Sequence, residues 1–140
     1  MPATEAGHQS ARLYTDQDGY FHFNGTPIYL VESGSGGSVT QTTNRSTGVT
    51  LSKYSGQITT DTTSLAAGAE ATFAVTNTLV AATDVVVVSC AGGQTSGTSI
   101  PAVTGIGSGS FSITLTNLHA STADTGAMVI NFAVFKSSAS

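Results

Sequence analysis

The residues of this sequence that could perform acid–base chemistry are three histidines and eight acids in a chain of 140 residues. His22 stands near two carboxylates, Asp16 and Asp18. A catalytic triad is an arrangement in space, so these residues could in principle activate a serine. The simpler interpretation is a hairpin with solvated carboxylates in its turn, and the chain has no Gly-x-Ser-x-Gly motif to present a nucleophile. We therefore expect no enzymatic activity.

Three glycine-containing stretches are candidates for ligand binding. Residues 16–19 read Asp-Gln-Asp-Gly, but an EF-hand loop would need acids where Tyr14 and Gly25 stand. Ordinary turn chemistry explains these Asp and Gly residues. The stretches 34–37 and 105–109 neither open a helix after a strand nor precede a lysine, as a phosphate-binding loop would. We expect no metal and no cofactor.

Cys90 is the single cysteine, which excludes an intrachain disulfide and a cysteine-ligated zinc site. It follows the valine run 85–88 and has no neighbouring histidine or cation in sequence to activate it, so we expect a small buried apolar residue. The first residues lack the apolar core of a signal peptide, and no apolar run approaches the roughly 18 residues of a membrane span. We expect a protein of a reducing cytoplasm, or one released from it by lysis.

The composition is poor in charge and rich in hydroxyl groups. Charged residues make up 9% of the chain, against about 25% in typical soluble domains. The chain holds 18 Ser and 23 Thr, and its 4 Lys and Arg against 8 Asp and Glu give a net charge of −4. Four cations cannot build the basic face of a nucleic-acid-binding protein. The scarcity of strong helix formers beside abundant Thr and Val favours an all-β protein.

Short strands separated by turn residues predict an antiparallel β-sandwich of jelly-roll or immunoglobulin-like type over residues 39–140. We expect a central strand buried on both faces at 84–90, because this segment is a continuous apolar run. Pro101 marks an edge strand or a bulge, and Leu65 is expected in the core beside a turn at Gly68. The other predicted strands are 39–43, 48–54, 56–60, 71–77, 98–103, 110–117 and 126–136.

An aromatic segment, residues 1–32, precedes this sandwich, and a Gly/Ser linker at 33–38 separates the two. Its strand-like runs and the Asn24-Gly25 turn signal predict a small three-stranded meander. About thirty residues cannot bury enough surface to be stable alone, so this N-terminal hairpin arm must pack on the sandwich or on another chain. We favour packing of the arm on a partner chain, because a flexible linker is unnecessary for packing on the sandwich of the same chain. The predicted partner-binding residues are Arg12, Tyr14, Tyr20, Phe21, Phe23 and Tyr29.

Several segments of the second region resemble accessory structural proteins of tailed bacteriophages, either head decoration proteins or fibre-like parts. They are 40–51 (TQTTNRSTGVTL), 56–60 (GQITT), 65–77 (LAAGAEATFAVTN), 80–88 (VAATDVVVV), 109–113 (GSFSI) and 129–136 (VINFAVFK). The resemblance rests on their order and spacing over about 100 residues. It implies a virion location, no catalytic residues and a symmetric homo-oligomer, most often a trimer.

Two functions follow from these observations. The first is a capsid decoration or cement protein whose arm binds the major capsid protein or another virion protein. The alternative is a tail- or head-fibre module whose sandwich loops, near Gly92–Gly97 and His119–Gly126, bind a host receptor or glycan. These loops contain no Trp or Tyr that could form an aromatic platform for a sugar, which weakens the hypothesis of glycan binding. A small hydrolase is a third class, and loss of turnover on mutating His22 or Asp18 in a folded protein would support it.

Overall fold

The computed structural model describes residues 36–95 and 99–137, and the backbone of three short strands nearer the N-terminus. These strands are β1 (Leu13–Thr15), β2 (Phe21–Phe23) and β3 (Thr26–Pro27). Contacts within the chain divide it into two compact units, Met1–Ser33 and Gly34–Ser140. In the described part of the chain, no helix is long and apolar enough to cross a membrane.

The first unit contains a three-stranded antiparallel sheet in the order β1-β2-β3. Leu13 pairs with Phe23, and Phe23 pairs with Thr26 across the position of the predicted Asn-Gly turn. Residues 24–25 and 28–35 lie outside the described residues. The predicted turn type and most of the third strand of the predicted meander therefore fall outside the description.

The second unit is a β-sandwich of eight strands, as the spacing of apolar residues predicts. The strands are β4 (Gly37–Thr40), β5 (Val49–Thr50), β6 (Ser55–Thr59), β7 (Glu70–Thr76), β8 (Val85–Gly92), β9 (Ser99–Gly107), β10 (Ser110–Asn117) and β11 (Val129–Phe135). They form two four-stranded sheets with the orders β4-β6-β11-β8 and β5-β7-β10-β9. We call these the β8 sheet and the β9 sheet.

The prediction of a purely antiparallel sandwich is wrong for two strand pairs. β4 runs parallel to β6 in the β8 sheet, and β5 runs parallel to β7 in the β9 sheet. The chain crosses from one sheet to the other after each of β4, β5 and β6, so each parallel partner is reached by way of the opposite sheet. The strand order also differs from the ABED and CFG sheets of immunoglobulin domains.

The core lies between the two sheets and follows the alternation of the sequence. Phe111, Ile113 and Leu115 of β10 are at most 1% exposed, and they face the β8 sheet across the sandwich. The rings of Phe111 and Phe132 lie 5.4 Å apart between centroids at an angle of 54°, which joins the two sheets. Leu65 is buried, and Gly68 has φ +71°, as the predicted turn requires. The other buried apolar residues are Val49, Ile58, Phe73, Val75, Val80, Val86, Met128, Ile130 and Val134.

The structure corrects two further predictions about the strands. Residues 37 and 38, assigned to the linker, are the first two residues of β4. The valine run is not a central strand: β8 lies at the edge of its sheet, and Val85 and Val87 on its outer face are 52% and 47% exposed. Of the two alternatives predicted from Pro101, an edge strand or a bulge, the edge position is confirmed for β9. Pro101 itself pairs regularly with Leu115, and the register of β9 against β10 shifts further along, between Ser112 and Ile113.

Candidate interaction surfaces

The predicted arm residues fall into two groups. Tyr14 lies in β1, and Phe21 and Phe23 lie in β2. The backbone register places Tyr14 opposite His22 on the neighbouring strand. The other predicted partner-binding residues lie outside the described residues; these are Arg12, Tyr20 and Tyr29.

Of the residues considered for catalysis, Asp16 and Asp18 lie outside the described residues, and His22 lies in β2 of the first unit. Another histidine, His119, lies in a loop of the second unit. The ring nitrogen Nδ1 of His119 accepts hydrogen bonds from the backbone N–H groups of Ser121 (3.1 Å) and Thr122 (2.9 Å), so this side chain organises its own loop. Among the described residues, no group of three His, Cys, Asp or Glu side chains could hold a metal ion.

Cys90 is half-buried rather than fully buried as predicted. It packs against the edge of the core, and Nε2 of Gln94 lies 2.7 Å from its Sγ atom. Gln94 also donates to the carbonyl of Ser99 at 3.0 Å, so the contact helps to close the connection between β8 and β9.

One end of the sandwich, which we call the loop end, gathers segments 41–48, 60–69, 93–95 and 118–128. Arg45 lies at its centre and is only 3% exposed. Its guanidinium donates to the carbonyls of Asp124 (3.1 Å) and Gly126 (2.8 Å) and to the Thr60 hydroxyl (3.2 Å). It also donates to the carbonyl of Thr63, so this one side chain joins three of the four segments.

A buried carboxylate, Asp124, accompanies Arg45, with 3.8 Å between its Oδ1 atom and Nη2. Oδ1 accepts hydrogen bonds from the N–H groups of Thr95 and Gly126, both at 2.9 Å. Burial alone would raise the pKa of this carboxyl, but the nearby Ser99 hydroxyl, the two N–H groups and the guanidinium hold it below its ordinary value of 3.8. Asp124 is therefore ionised, and the fourth segment is tied in through Thr95.

Two buried oxygen atoms at this end, Asp124 Oδ2 and Ser99 Oγ, have no hydrogen bond of good geometry within the described residues. The Ser99 hydroxyl nevertheless lies close enough to the carboxylate to lower the pKa of Asp124. Two amides complete the polar interior: Gln41 Nε2 donates to the carbonyl of Thr47 (2.8 Å), and Asn117 Nδ2 donates to that of Leu65 (2.9 Å). The loop end is thus held by specific polar bonds in addition to the apolar packing of Leu65 and Met128.

The outer face of the β9 sheet is lined with hydroxyl groups. Thr114 Oγ1 lies 2.8 Å from the hydroxyl of Thr72 on one side and 2.8 Å from that of Thr104 on the other. Ile100 is an exposed apolar residue on this face, at 48% exposure, and stands beside polar neighbours. Single exposed apolar residues of this kind are ordinary on protein surfaces.

The outer face of the β8 sheet is different, because apolar side chains meet there along its edge. Val85 and Val87 of β8 pair with Phe135 and Ala133 of β11, and Phe135 is 38% exposed. We call these four residues and the free edge of β8 the valine edge. Beside it, an open groove of about 310 Å³ runs between the two strands and ends at the polar side chains of Ser89 and Asn131.

The charged groups nearest the valine edge neutralise each other. Lys136 Nζ donates to a carboxylate oxygen of Asp84 and to the carbonyl of Leu79 (2.9 Å). The N–H of Ala81 also bonds Asp84 at 2.8 Å, and these contacts outweigh desolvation and lower the pKa of this carboxyl. Among the described residues, a partner at the valine edge would therefore meet an apolar strip whose neighbouring charges, Asp84 and Lys136, are already paired.

Sequence reasoning missed both the loop-end network and the valine edge. Arg45 and Asp124 are separated by 79 positions, and the available signal was that Arg45 is the only arginine after residue 12 in a charge-poor chain. The valine edge was hidden by the assumption that an apolar run is buried on both faces.

Comparison of the chain with protein-family models, with curated proteins and with solved structures finds no match in any of the three.

Proposed function

We propose that this protein is a non-enzymatic structural component of a bacteriophage virion, a decoration or cement protein that binds the capsid through its N-terminal arm. The observation that carries the proposal is the division of the chain into a sandwich with its own complete core and a separate small sheet. The arm residues 1–32 contain five of the ten aromatic residues of the chain. Interface cores are enriched in aromatic residues, which supports a docking role for this arm.

The sandwich suits display on a particle surface. The described residues include only three cations, and one of them, Arg45, is buried at the loop end, so few Lys and Arg side chains are open to proteases that cleave after them. Contacts of Arg45 and Asp124 hold its loops in place. A protein that binds across neighbouring capsid subunits also stabilises the shell by mass action.

Deletion of residues 1–32 tests the proposal directly. The truncated protein keeps β4 and the whole sandwich, so it should fold, with an unchanged β-sheet circular dichroism spectrum, but should no longer bind purified heads. Full-length Ile100→Lys, altered on the hydroxyl-lined face, is the matched control and should bind as the wild type does. Normal head occupancy by the folded truncated protein would refute the arm hypothesis.

We favour the jelly-roll over the immunoglobulin class for the sandwich. Jelly rolls have eight strands in two sheets, and here eight strands divide four and four. Immunoglobulin domains of the constant type have seven strands in sheets of four and three. The two parallel pairs set this chain apart from both descriptions.

A receptor-binding fibre module is the second candidate, and one observation favours it. The described parts of both loops considered for host binding, residues 92–95 and 119–126, lie at the loop end, where the hydroxyls of Thr95 and Thr125 are 3.1 Å apart. Immunogold electron microscopy with an antibody against residues 39–140 separates the two functions. Even labelling of heads supports decoration, label restricted to the tail or one vertex supports the fibre, and absence of label from intact and disrupted particles refutes both.

A further inference from the structure

The two sheets of the sandwich have four edge strands, and three of them are protected against pairing with another chain. β5 has two residues and β4 has four, while β9 carries Pro101 and a register irregularity. Short strands, proline and bulges are the usual devices that prevent edge-to-edge association. These three edges therefore offer little to a further strand.

The fourth edge, β8, lacks these protections over most of its length. It is eight residues long, and Val85–Cys90 contains no proline, glycine or charged residue. Its register irregularity against β11 comes only after Cys90. A long, regular and apolar edge strand is a template for the addition of another strand, because half of its backbone N–H and C=O groups point away from its own sheet.

We propose that β8 pairs antiparallel with β8 of a second copy of this chain, which joins two four-stranded sheets into one of eight strands. The charge pattern is compatible with this occupant. Each copy carries a net charge of −4, so the repulsion between two copies in contact is smallest where the facing surfaces carry no unpaired charge, as at the described residues of the valine edge. A charged partner would gain no ion pair there, because Asp84 and Lys136 already neutralise each other.

Pairing of identical strands also makes the contact self-complementary. The exposed methyl groups of Val85 and Val87 meet the same groups of the second copy, and the Phe135 ring covers the end of the strip. Such a contact has two-fold symmetry, since the same patch is used on both copies. This predicts a dimer, or an assembly of dimers, in place of the trimer implied by the phage resemblance. The inference goes beyond the proposed function and does not depend on a virion location.

Sedimentation velocity of the full chain over a wide range of concentration tests the contact. The wild type should show a monomer–dimer equilibrium, and Val87→Lys should weaken it roughly tenfold or more by placing two like charges opposite each other. Ile100→Lys is the matched control: it is equally exposed and also lies on the outer face of an edge strand, but of the β9 sheet. It should leave the dimer unchanged.

Any of three sedimentation results would overturn the proposal. The wild type would stay monomeric at the highest concentration, or it would form a trimer, or it would form a dimer that Val87→Lys leaves intact. A monomeric wild type whose head binding is abolished by Val87→Lys would assign the valine edge to a virion partner instead. Amide hydrogen exchange of the wild type gives a test that requires no variant. Protection of Val85–Cys90 should rise with protein concentration, and protection that is independent of concentration would count against the contact.

Discussion

The buried guanidinium of Arg45 should be the largest single polar contribution to the stability of the sandwich. Arg45→Met keeps much of the side-chain volume and removes every donor. Four hydrogen bonds to protein acceptors are lost, and bonds to a charged group contribute about 1.5–3 kcal/mol each. Water that reaches the acceptors left without a donor recovers part of this free energy. Breaking a buried ion pair typically costs about 3–5 kcal/mol, and we expect the free energy of unfolding to fall by an amount in that range.

Urea unfolding followed by circular dichroism measures this loss, because the midpoint should fall while the slope with denaturant concentration stays constant. Arg45→Lys should also be destabilising, since an ammonium cannot reproduce the planar donor geometry of the guanidinium. Lys136→Met is the control, and should cost clearly less because Lys136 is 50% exposed.

A double-mutant cycle with Asp124→Asn separates the charge contact from the other bonds. The guanidinium bonds the backbone carbonyl of Asp124, which the amide variant retains, so the coupling energy isolates the 3.8 Å contact between Nη2 and Oδ1. A loss below about 1 kcal/mol for Arg45→Met would refute the reasoning, because one exposed hydrogen bond could account for it.

Three further predictions concern other parts of the sandwich. Gly93→Ala should destabilise far more than Gly109→Ala in thermal melts. Both glycines have positive φ, but an added Cβ at Gly93 would collide with the carbonyl oxygen of Ala127, whereas no heavy atom lies within 4 Å of a Cβ added at Gly109. Phe132→Ala should cost about 3–5 kcal/mol in urea unfolding, because it opens a cavity where the two sheets meet, and an unchanged midpoint would contradict the described core. The pKa of Asp124 is depressed in the folded state, so its stabilising effect is complete above the unfolded value of 3.8 and is lost as the pH falls through the folded value. Asp124→Asn should therefore flatten the acid side of the stability–pH curve, and a curve parallel to that of the wild type would show that another group controls it.

The inward and outward faces of the strands could be predicted from the sequence because that information is local. Phe111, Ile113 and Leu115 alternate with polar residues, and period-two alternation alone decides which residues face the core. Pro101 narrowed the position of β9 to an edge strand or a bulge, because proline cannot donate a hydrogen bond to a neighbouring strand, and the structure shows the edge.

The neighbours of each strand could not be predicted, because they depend on contacts far apart in sequence. A run of four valines is compatible with a central strand and with an edge strand whose outer face is apolar. The strand order shows that, among the described strands, β8 pairs only with β11, whose Phe135 lies fifty positions after Val85. The Arg45–Asp124 pair was hidden for the same reason. The two parallel pairs depend on loops that cross between sheets, which leave no periodic signal.

The position of β11 determines when a nascent chain can fold. Although β11 is the last described strand, it lies between β6 and β8 and supplies Ile130, Phe132 and Val134 to the core. Chains emerge from the ribosome N-terminus first, so β8 has no partner in its sheet until Phe135 has emerged. A product of premature termination before β11 would expose its valines and be open to proteolysis. The fold thus makes completion of the sandwich depend on chain length, because only molecules translated through β11 can close it.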